Sequence, residues 1–592
     1  MGVPMDLAER VLLARFFSRV DPREHGDVYV VRALPQELRA TLNGLYSRSR
    51  HSMRRTFLDR LRQGLESQGR TIEDFVAELE TKGKGAEDLL AGVLVEKAGK
   101  FLRTYAIDHG HNSLREGAVV QLAVENVSQL FTRFVQRERR ASFEESSTRY
   151  ISFAREGHWR DPDVVAAGEP WTTLYDEAID RSFAFYQESI TSLRDHLLAT
   201  RPCPEGQDAK AWERAVRAEA FDAARYLLTP AIHTKWGMIA DARTIADTIT
   251  SLASHELAEF RLLGERLREE AEREFPTLLA HARRNDYLAS TPETLRTLAE
   301  SLATGNAAEF RSGATKAVEG AASTDASRAD GNHGLPLSTG PSDRAESNVG
   351  PIGPADIHVR LLASPDALEV HLLASLVYEY TDRSAAELMQ SIRALDGDAR
   401  EALFARALEQ RGPRDAMPEG FEGAGLFDFE ALVDFGAYRD IGRHRKGFQQ
   451  QQTLTTKHGY VVPKLFEEAG LAGRYRSVLD HAGDCARRIG ERFPLAAQYV
   501  IPFAYLQRVR LQFDARQMAY FCELRSAPEG HFSYRDVAIR MAEALEAKAP
   551  RYARWLRVCK DHVFLGRITA ETERDARRAS REARAESQGY EL

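Results

Sequence analysis

The sequence has few cysteines and no long apolar run. Its four cysteines, Cys203, Cys485, Cys522 and Cys559, form no CxxC pair, which argues against a disulfide framework or a zinc site and suits a reducing compartment. No run of about 18 apolar residues occurs, so we expect no membrane span. Charged residues interrupt the apolar ones over Met1–Arg19, which argues against a secretory signal. We therefore expect a cytoplasmic protein.

An excess of basic charge is also missing. The chain has 81 basic and 88 acidic residues, a net charge of −7. A protein that binds nucleic acid over a broad surface is normally basic, so we expect no stable nucleic-acid partner, and any anionic ligand must be held by a local arginine cluster. The tail 567–592 alternates Glu, Arg and Ala. It favours a solvated helix, and a basic arm for nucleic acid remains the alternative.

One segment of the chain has the composition of a linker. Between Arg311 and Gly350 there is no aromatic residue, and Gly, Ala, Ser, Asp and Pro dominate. Such a segment buries too little apolar surface to offset the entropy of ordering it. We therefore predict a first domain over 1–310, a flexible linker over 311–350, a second domain over 351–566 and a charged tail over 567–592.

The two halves on either side of this linker have similar patterns of predicted elements. Apolar periodicity and β-branched content predict three long helices and one strand in each half. The predicted helices are Asp88–Ile107, Leu174–Arg194, Asp241–Glu270, Ala363–Tyr380, Tyr475–Phe493 and Asp514–Leu524, and the predicted strands are Ala118–Val127 and Phe427–Phe435. Helices around a few strands, occurring twice, indicate an α/β (α+β) unit that was duplicated, each copy a small sheet wrapped by long helices.

The densest polar cluster of the chain, Arg137–Tyr150, follows the predicted strand and a short apolar helix, Val127–Val135. Arginine offers paired donors to phosphate oxygens, serine adds a neutral donor, and glutamate can accept from a ribose hydroxyl. The cluster therefore suits a nucleotide, while a surface loop with mutual Arg–Glu pairs is the alternative. Metal binding by His109 and His111 is disfavoured because no third ligand follows at a suitable spacing.

This cluster resembles the signature of the flavin-dependent thymidylate synthases, which reads Arg-His-Arg, two residues, Ser, one residue, Asn-Glu, one residue, Ser, one residue, Arg. The matching residues are Arg137, Arg139, Ser142, Glu145, Ser147 and Arg149. Glu138 and Glu144 depart from it, standing where the family has His and usually Asn, and Phe134 stands where many members have a polar residue. Upstream, Gly110–Glu116 is similar to the family's Gly-His-x-Ser-x-x-Glu-His, except that Gly117 replaces the last His.

The second half carries the landmarks that the first half has lost. It keeps the intact triplet Arg443-His444-Arg445, 306 residues after Arg137, and the C-terminal arginines Arg508, Arg516 and Arg525. Its signature positions are otherwise changed, to Phe448, Gln451, Thr453 and Thr455, whereas the first half has Lys235 and Leu252 in place of Arg508 and Arg525. Since a fused duplicate needs only one competent pairing of its halves, we expect one composite site per chain.

The resemblance implies reductive methylation of dUMP to dTMP, with methylenetetrahydrofolate as carbon donor, NADPH as reductant and FAD as hydride carrier. It implies that Arg525 stabilises negative charge on the uracil ring, so that Arg525 is the catalytic candidate. The implied substrate-binding residues are Glu145, for the ribose, with Ser147, Arg149, Arg443, Arg508 and Arg525. The implied cofactor-binding residues are His111, Arg137, Arg139, Ser142, His444, Arg445 and Arg516. Because family members are homotetramers, a fused chain implies a homodimer that forms a pseudo-tetramer.

Glu138 is the departure that bears most on flavin binding, because it brings a carboxylate to a site that must accept a diphosphate. Either Glu138 pairs with a nearby arginine, Arg133 or Arg140, or the first half no longer holds flavin. The alternative function is therefore a non-catalytic protein that binds nucleotide or flavin and has lost the reaction. A structural or nucleic-acid-binding role for the charged tail is a third hypothesis.

Overall fold

The structure is a computed structural model that describes residues 5–23, 27–47, 49–81, 86–147, 153, 157–205, 208–303, 358–365, 367–412 and 415–561. The predicted linker, the predicted charged tail and Arg149 lie outside the described residues. The chain divides into two compact units, Met1–Val120 with Ala240–Asn348, and Gln121–Ile239 with Val349–Leu592. The described residues of both signature segments therefore belong to the second unit. The domain boundaries drawn from the sequence stay a prediction.

The described part of the chain is mainly helical. Before residue 304 the helices are α1 (Leu7–Phe16), α2 (Gln36–Tyr46), α3 (Met53–Glu66), α4 (Ile72–Thr81), α5 (Ala86–Leu90), α6 (Glu96–Leu102), α7 (Gln129–Val135), α8 (Pro162–Ala167), α9 (Trp171–Thr200), α10 (Ala209–Ala224), α11 (Ala242–Ala253), α12 (Ala258–Ala271) and α13 (Asp286–Ala303). After residue 357 they are α14 (Leu368–Val377), α15 (Ala385–Arg393), α16 (Gly397–Leu408), α17 (Phe435–Ile441), α18 (Lys464–Glu468), α19 (Ala472–Gly490), α20 (Ala515–Arg525), α21 (Phe532–Lys548) and α22 (Pro550–Ala553).

Seven described strands form two sheets. They are β1 (Val119–Ser128), β2 (Ser142–Glu145), β3 (His233–Asp241), β4 (Val359–Ala363), β5 (Leu426–Asp434), β6 (Phe448–Gln451) and β7 (Leu506–Asp514). The first sheet has the order β1-β3-β2 and the second β4-β5-β7-β6. The first sheet belongs to the first half of the sequence and the second sheet to the second half. Mixed helix and sheet in two copies confirms the predicted fold class.

In the second sheet, the alternation of apolar and polar residues along the strands determines which face is buried. Phe429 of β5 pairs with Leu511 of β7, and Phe427 with Phe513; all four side chains are buried in the core of this half. The opposite face of the same strands is charged. On that face Arg508 binds Glu430, 3.2 Å from Nη1 to Oε1. A period of two along a strand separates these two faces.

Two predicted helices differ from the structure. The predicted Asp241–Glu270 helix is two helices, because α11 ends at Ala253 and α12 begins at Ala258. The break is held by Arg261, whose guanidinium donates to the carbonyl oxygens of His255 and Glu256. The predicted Ala363–Tyr380 helix is also wrong at its start, since Val359–Ala363 is strand β4 and the helix α14 covers Leu368–Val377.

The predicted Asp88–Ile107 helix is confirmed in position, but it contains two π-helical stretches, Ala91–Val95 and Arg103–Asp108. Short 3₁₀ turns cover Asn112–Gly117, Arg225–Leu227, Tyr378–Tyr380, Glu419–Ala424 and Ala496–Val500. None of the described helices combines the length and the apolar character that crossing a bilayer requires.

Candidate functional site

The two signature segments occupy equivalent places in the fold. In the first half, β1 leads into the short helix α7, the segment, and then β2; in the second half, β5 leads into α17, the segment, and then β6. Both short helices begin at a side-chain cap. Ser128 accepts from the N–H of Phe131 at 3.0 Å, and Asp434 accepts from the N–H of Ala437 at 2.6 Å. The caps fix where each helix starts and so where each segment leaves it.

A cleft of about 840 Å³ lies between the two segments, and both line it. We call it the arginine cleft; its lining residues are Arg137, Glu138, Arg139, Arg140, Arg443, Arg445 and Lys446. Each segment also contacts the backbone of the other, since Arg139 donates to the carbonyl oxygen of Lys446 and Arg445 donates to that of Glu138 at 2.7 Å. Six cationic side chains around one cleft make it a place for an anion of several charges.

The carboxylate of Glu138, which also lines the arginine cleft, is paired with an arginine. It lies 3.4 Å from Nε of Arg140 and accepts from the backbone N–H of Arg140 at 2.9 Å. Of the two arginines considered from the sequence as partners for Glu138, the structure therefore pairs it with Arg140. Arg133 lies elsewhere, against Glu145.

Glu145 is the centre of a buried ion cluster that joins the two halves. Its side chain is 2% exposed and contacts Arg133 of the first half and Arg439 of the second, which are 2% and 4% exposed. The Arg439 contact is 2.7 Å from Nη2 to Oε1, and Arg443 lies 3.8 Å from Oε2. Burial would raise the pKa of Glu145, but the attraction of the three arginines outweighs it and lowers that pKa. Burial in turn lowers the pKa of Arg439 to about 10.

His444, in the middle of the intact triplet, is buried against Arg525. Nε of Arg525 donates to Nε2 of His444 at 2.8 Å. Because a guanidinium only donates, the ring proton is assigned to Nδ1. The amide Nε2 of Gln517 lies 3.2 Å from Nδ1, and turning this amide by 180° places its oxygen there as the acceptor. Burial, then repulsion from Arg525, lowers the pKa of His444 to about 3, so the ring stays neutral.

The other residues singled out from the sequence are not among those that line the arginine cleft. Arg508 sits on the charged face of the second sheet against Glu430, and Arg516 binds Glu422 at 2.7 Å. Ser142 begins β2 with an exposed side chain, and the half-buried Ser147 follows that strand. His111 belongs to the first unit and is exposed, with its ring 6.3 Å from that of His109.

The comparison with known families agrees with this duplicated arrangement. A family model described as thymidylate synthase complementing protein matches residues 65–277 and 385–551, more than half of the chain. The chain belongs to this family. Its two matched regions fall on either side of the predicted linker, as a tandem duplication of the family's domain requires.

Proteins that are similar to this chain cover it to different extents. A UPF0159 protein of Chlamydia muridarum is 27% identical over 96% of this chain and 98% of its own length. A flavin-dependent thymidylate synthase of Clostridium tetani is 24% identical over 38% of this chain and 85% of its own length. The crystal structure of a UMP/dUMP methylase from Streptomyces cacaoi, with 5-Br dUMP bound, has a TM-score of 0.27 and 17% identity over 34% of this chain and 97% of that one. Because a TM-score this low does not establish a common fold, the assignment depends on the sequence matches.

Reasoning from the sequence missed the arginines that hold Glu145. The sequence presents Arg133 only as a partner for Glu138, and it does not single out Arg439. A signal was present, because Arg133 and Arg439 are equivalent residues of the two halves, 306 positions apart, and Nη1 of Arg133 donates to the carbonyl oxygen of Arg439 at 2.8 Å. An arginine kept at one position of both copies of a thymidylate synthase complementing domain marks a shared structural role.

Proposed function

We propose that the chain methylates C5 of a uracil nucleotide in a flavin-dependent reaction of the dUMP-to-dTMP type. Methylenetetrahydrofolate would be the carbon donor and NADPH the reductant. Family membership and the likeness to the Clostridium tetani flavin-dependent thymidylate synthase support the reaction class. The observation that carries the proposal is the arginine cleft, in which the signature arginines of both halves face one cavity.

The donor set of the arginine cleft fits the diphosphate of FAD. Four signature arginines line it, Arg137, Arg139, Arg443 and Arg445, and guanidinium groups bind phosphate oxygens through paired hydrogen bonds. The volume, about 840 Å³, is in the range of cofactor pockets. The carboxylate of Glu138 is neutralised by Arg140. We therefore assign the diphosphate to this cleft and retain Arg137, Arg139 and Arg445 as cofactor-binding residues.

A bound flavin would supply hydride transfer, and the protein supplies binding and charge. Arg525 would place a fixed positive charge against the uracil ring, where negative charge develops as C5 becomes nucleophilic. Its Nε is held by His444, which leaves the two terminal amino groups for the nucleotide. Arg443, about half exposed at the mouth of the Glu145 cluster, would meet the nucleotide's negative charge.

The first experiment is the visible absorption spectrum of the purified full-length chain, followed by addition of FAD, NADPH, methylenetetrahydrofolate and dUMP. We expect flavin absorbance, its bleaching by NADPH, and dTMP as product. Arg525→Ala should weaken dUMP binding by roughly 1.5–3 kcal/mol, the range for hydrogen bonds to charged groups. Arg487→Ala, which removes an exposed arginine of α19, is the matched control. Protein that carries no flavin and gains none when FAD is added would overturn the proposal.

One observation favours a second candidate, a nucleotide- or flavin-binding protein without catalysis. Both carboxylate oxygens of Glu145 are already engaged, Oε1 by Arg439 and Oε2 by Arg133. Because the side chain is also only 2% exposed, the carboxylate presents little surface to a ribose hydroxyl in this arrangement. Calorimetric binding of dUMP without dTMP formation, in flavin-loaded protein supplied with folate and reductant, would decide for this candidate.

A further inference from the structure

The side chain of His444 makes its contacts inside the protein. The ring is only 5% exposed, and both of its nitrogens have protein partners, Arg525 at Nε2 and Gln517 at Nδ1. The ring faces also pack against aromatic neighbours, with the centroid of Phe521 at 4.8 Å. Neither ring nitrogen is left to bind a phosphate or a base directly.

The duplication provides an internal comparison for this contact. Aligning Asp241 with Asp514, which cap α11 and α20, places Leu252 at the position of Arg525 and Thr244 at that of Gln517. Glu138 stands at the position of His444. All three members of the group are thus replaced in the first half. The arginines that flank the central residue of the triplet are present in both halves, so the histidine accompanies Arg525 rather than the flanking arginines.

We propose that His444 is a positioning residue for Arg525, an inference that rests on the proposed function. Nε2 of His444 accepts a hydrogen bond from Nε of Arg525, and this contact orients the guanidinium so that both terminal amino groups are presented to the uracil nucleotide. Among the described residues, no protein group accepts a hydrogen bond from either terminal amino group of Arg525. The ring of Tyr534, 5.2 Å from the guanidinium carbon, supports the same orientation from another side.

A neutral acceptor suits this task better than a carboxylate. A carboxylate at position 444 would orient Arg525 equally well but would cancel the positive charge that the developing uracil anion needs. A neutral imidazole orients the guanidinium and leaves its charge intact. Burial keeps this ring neutral, since it lowers the pKa of His444 far below neutrality.

The test measures dUMP affinity by calorimetry and flavin content by visible absorbance on the full-length chain. His444→Phe keeps a ring but removes the acceptor, and it should weaken dUMP binding about tenfold, as loss of a hydrogen bond to a charged group does, with unchanged flavin content. His444→Gln places an amide oxygen near the position of Nε2 and should restore affinity to within about threefold, allowing for altered geometry. His444→Glu should bind as weakly as His444→Phe. His281→Gln, at an exposed histidine, is the control.

The double variant His444→Phe/Arg525→Ala separates positioning from direct binding. We expect it to bind dUMP no more weakly than Arg525→Ala alone, because two residues that act through one contact are not additive. Additive losses, or loss of flavin with normal dUMP affinity after reloading, would overturn the inference. Equal affinities of the Gln and Glu variants would also overturn it, even if His444→Phe fails to fold. If Arg525→Ala itself leaves dUMP binding intact, the failure lies instead in the role proposed for Arg525.

Discussion

Replacing Glu145 by glutamine tests the ion cluster that joins the two halves. The change keeps the size of the side chain and removes one negative charge from a group that is 98% buried, because its side chain is 2% exposed. Arg133 and Arg439, with exposures of 2% and 4%, would then lose the negative charge of the carboxylate that both contact. Breaking a buried ion pair by removing the charge of one partner destabilises a protein by about 3–5 kcal/mol. This is a large share of the roughly 5–15 kcal/mol that holds a typical protein folded.

The assay is thermal unfolding of full-length protein, followed by circular dichroism. At roughly 2 °C per kcal/mol, the scale for large domains, we expect the Tm of Glu145→Gln to fall by about 6–10 °C. Glu144→Gln is the matched control, since Glu144 is the preceding residue of β2 and its side chain is exposed; its Tm should stay within about 1–2 °C of wild type. If the two variants melt together, the cluster does not stabilise the protein in the way that the geometry requires.

Three further results are expected. The difference in Tm between wild type and Glu145→Gln should narrow below about pH 4.3, the ordinary pKa of glutamate. The pKa of Glu145 is lowered in the folded state, so its stabilisation is fully present above the pKa of the unfolded state and is lost as pH falls through the pKa of the folded state. A constant difference in Tm between pH 7 and 3 would contradict this. Arg139→Ala and Arg445→Ala should each reduce flavin retention, because the two side chains line one cleft, whereas loss in only one variant would restrict the cofactor to one segment. Light scattering should give twice the 66.4 kDa of one chain if the chain forms the proposed homodimer, and a monomer at micromolar concentration would refute that assembly.

The part of the fold that sequence predicted well is the part that periodicity controls. The alternating segment predicted as strand Phe427–Phe435 is β5, Leu426–Asp434, and the predicted helix Asp514–Leu524 is α20, Ala515–Arg525. Strand β7 was missed, although Val509, Leu511 and Phe513 alternate with polar residues as a half-buried strand should. On the other face of this strand, Arg508 is the residue that the sequence assigns to a ligand site; in the structure Arg508 and its neighbour Arg510 pair with acids of β5.

The site was less accessible to sequence reasoning because its geometry depends on which residues meet across the two halves. A signature pattern names Glu145 but carries no information that Arg439, almost 300 positions away, donates to it at 2.7 Å. It likewise gives His444 the same rank as its flanking arginines. Only packing shows that this ring turns into the protein while Arg443 and Arg445 line the cleft.

Comparison of the two halves shows which contacts both copies share and which contacts occur in one copy alone. One ion pair occurs in both halves: Glu116 binds Arg243 at 2.6 Å in one, and Glu422 binds Arg516 at 2.7 Å in the other. The group around Arg525 persists in only one. In the first half the fully buried Leu252 stands in place of Arg525, and Glu138 and Thr244 stand in place of His444 and Gln517. The three residues are therefore replaced together, as the positioning role proposed for His444 requires. The signature arginines that both halves share suit the proposed diphosphate site, whereas the group around Arg525, present in one half alone, is where the proposed chemistry on the uracil ring should be tested.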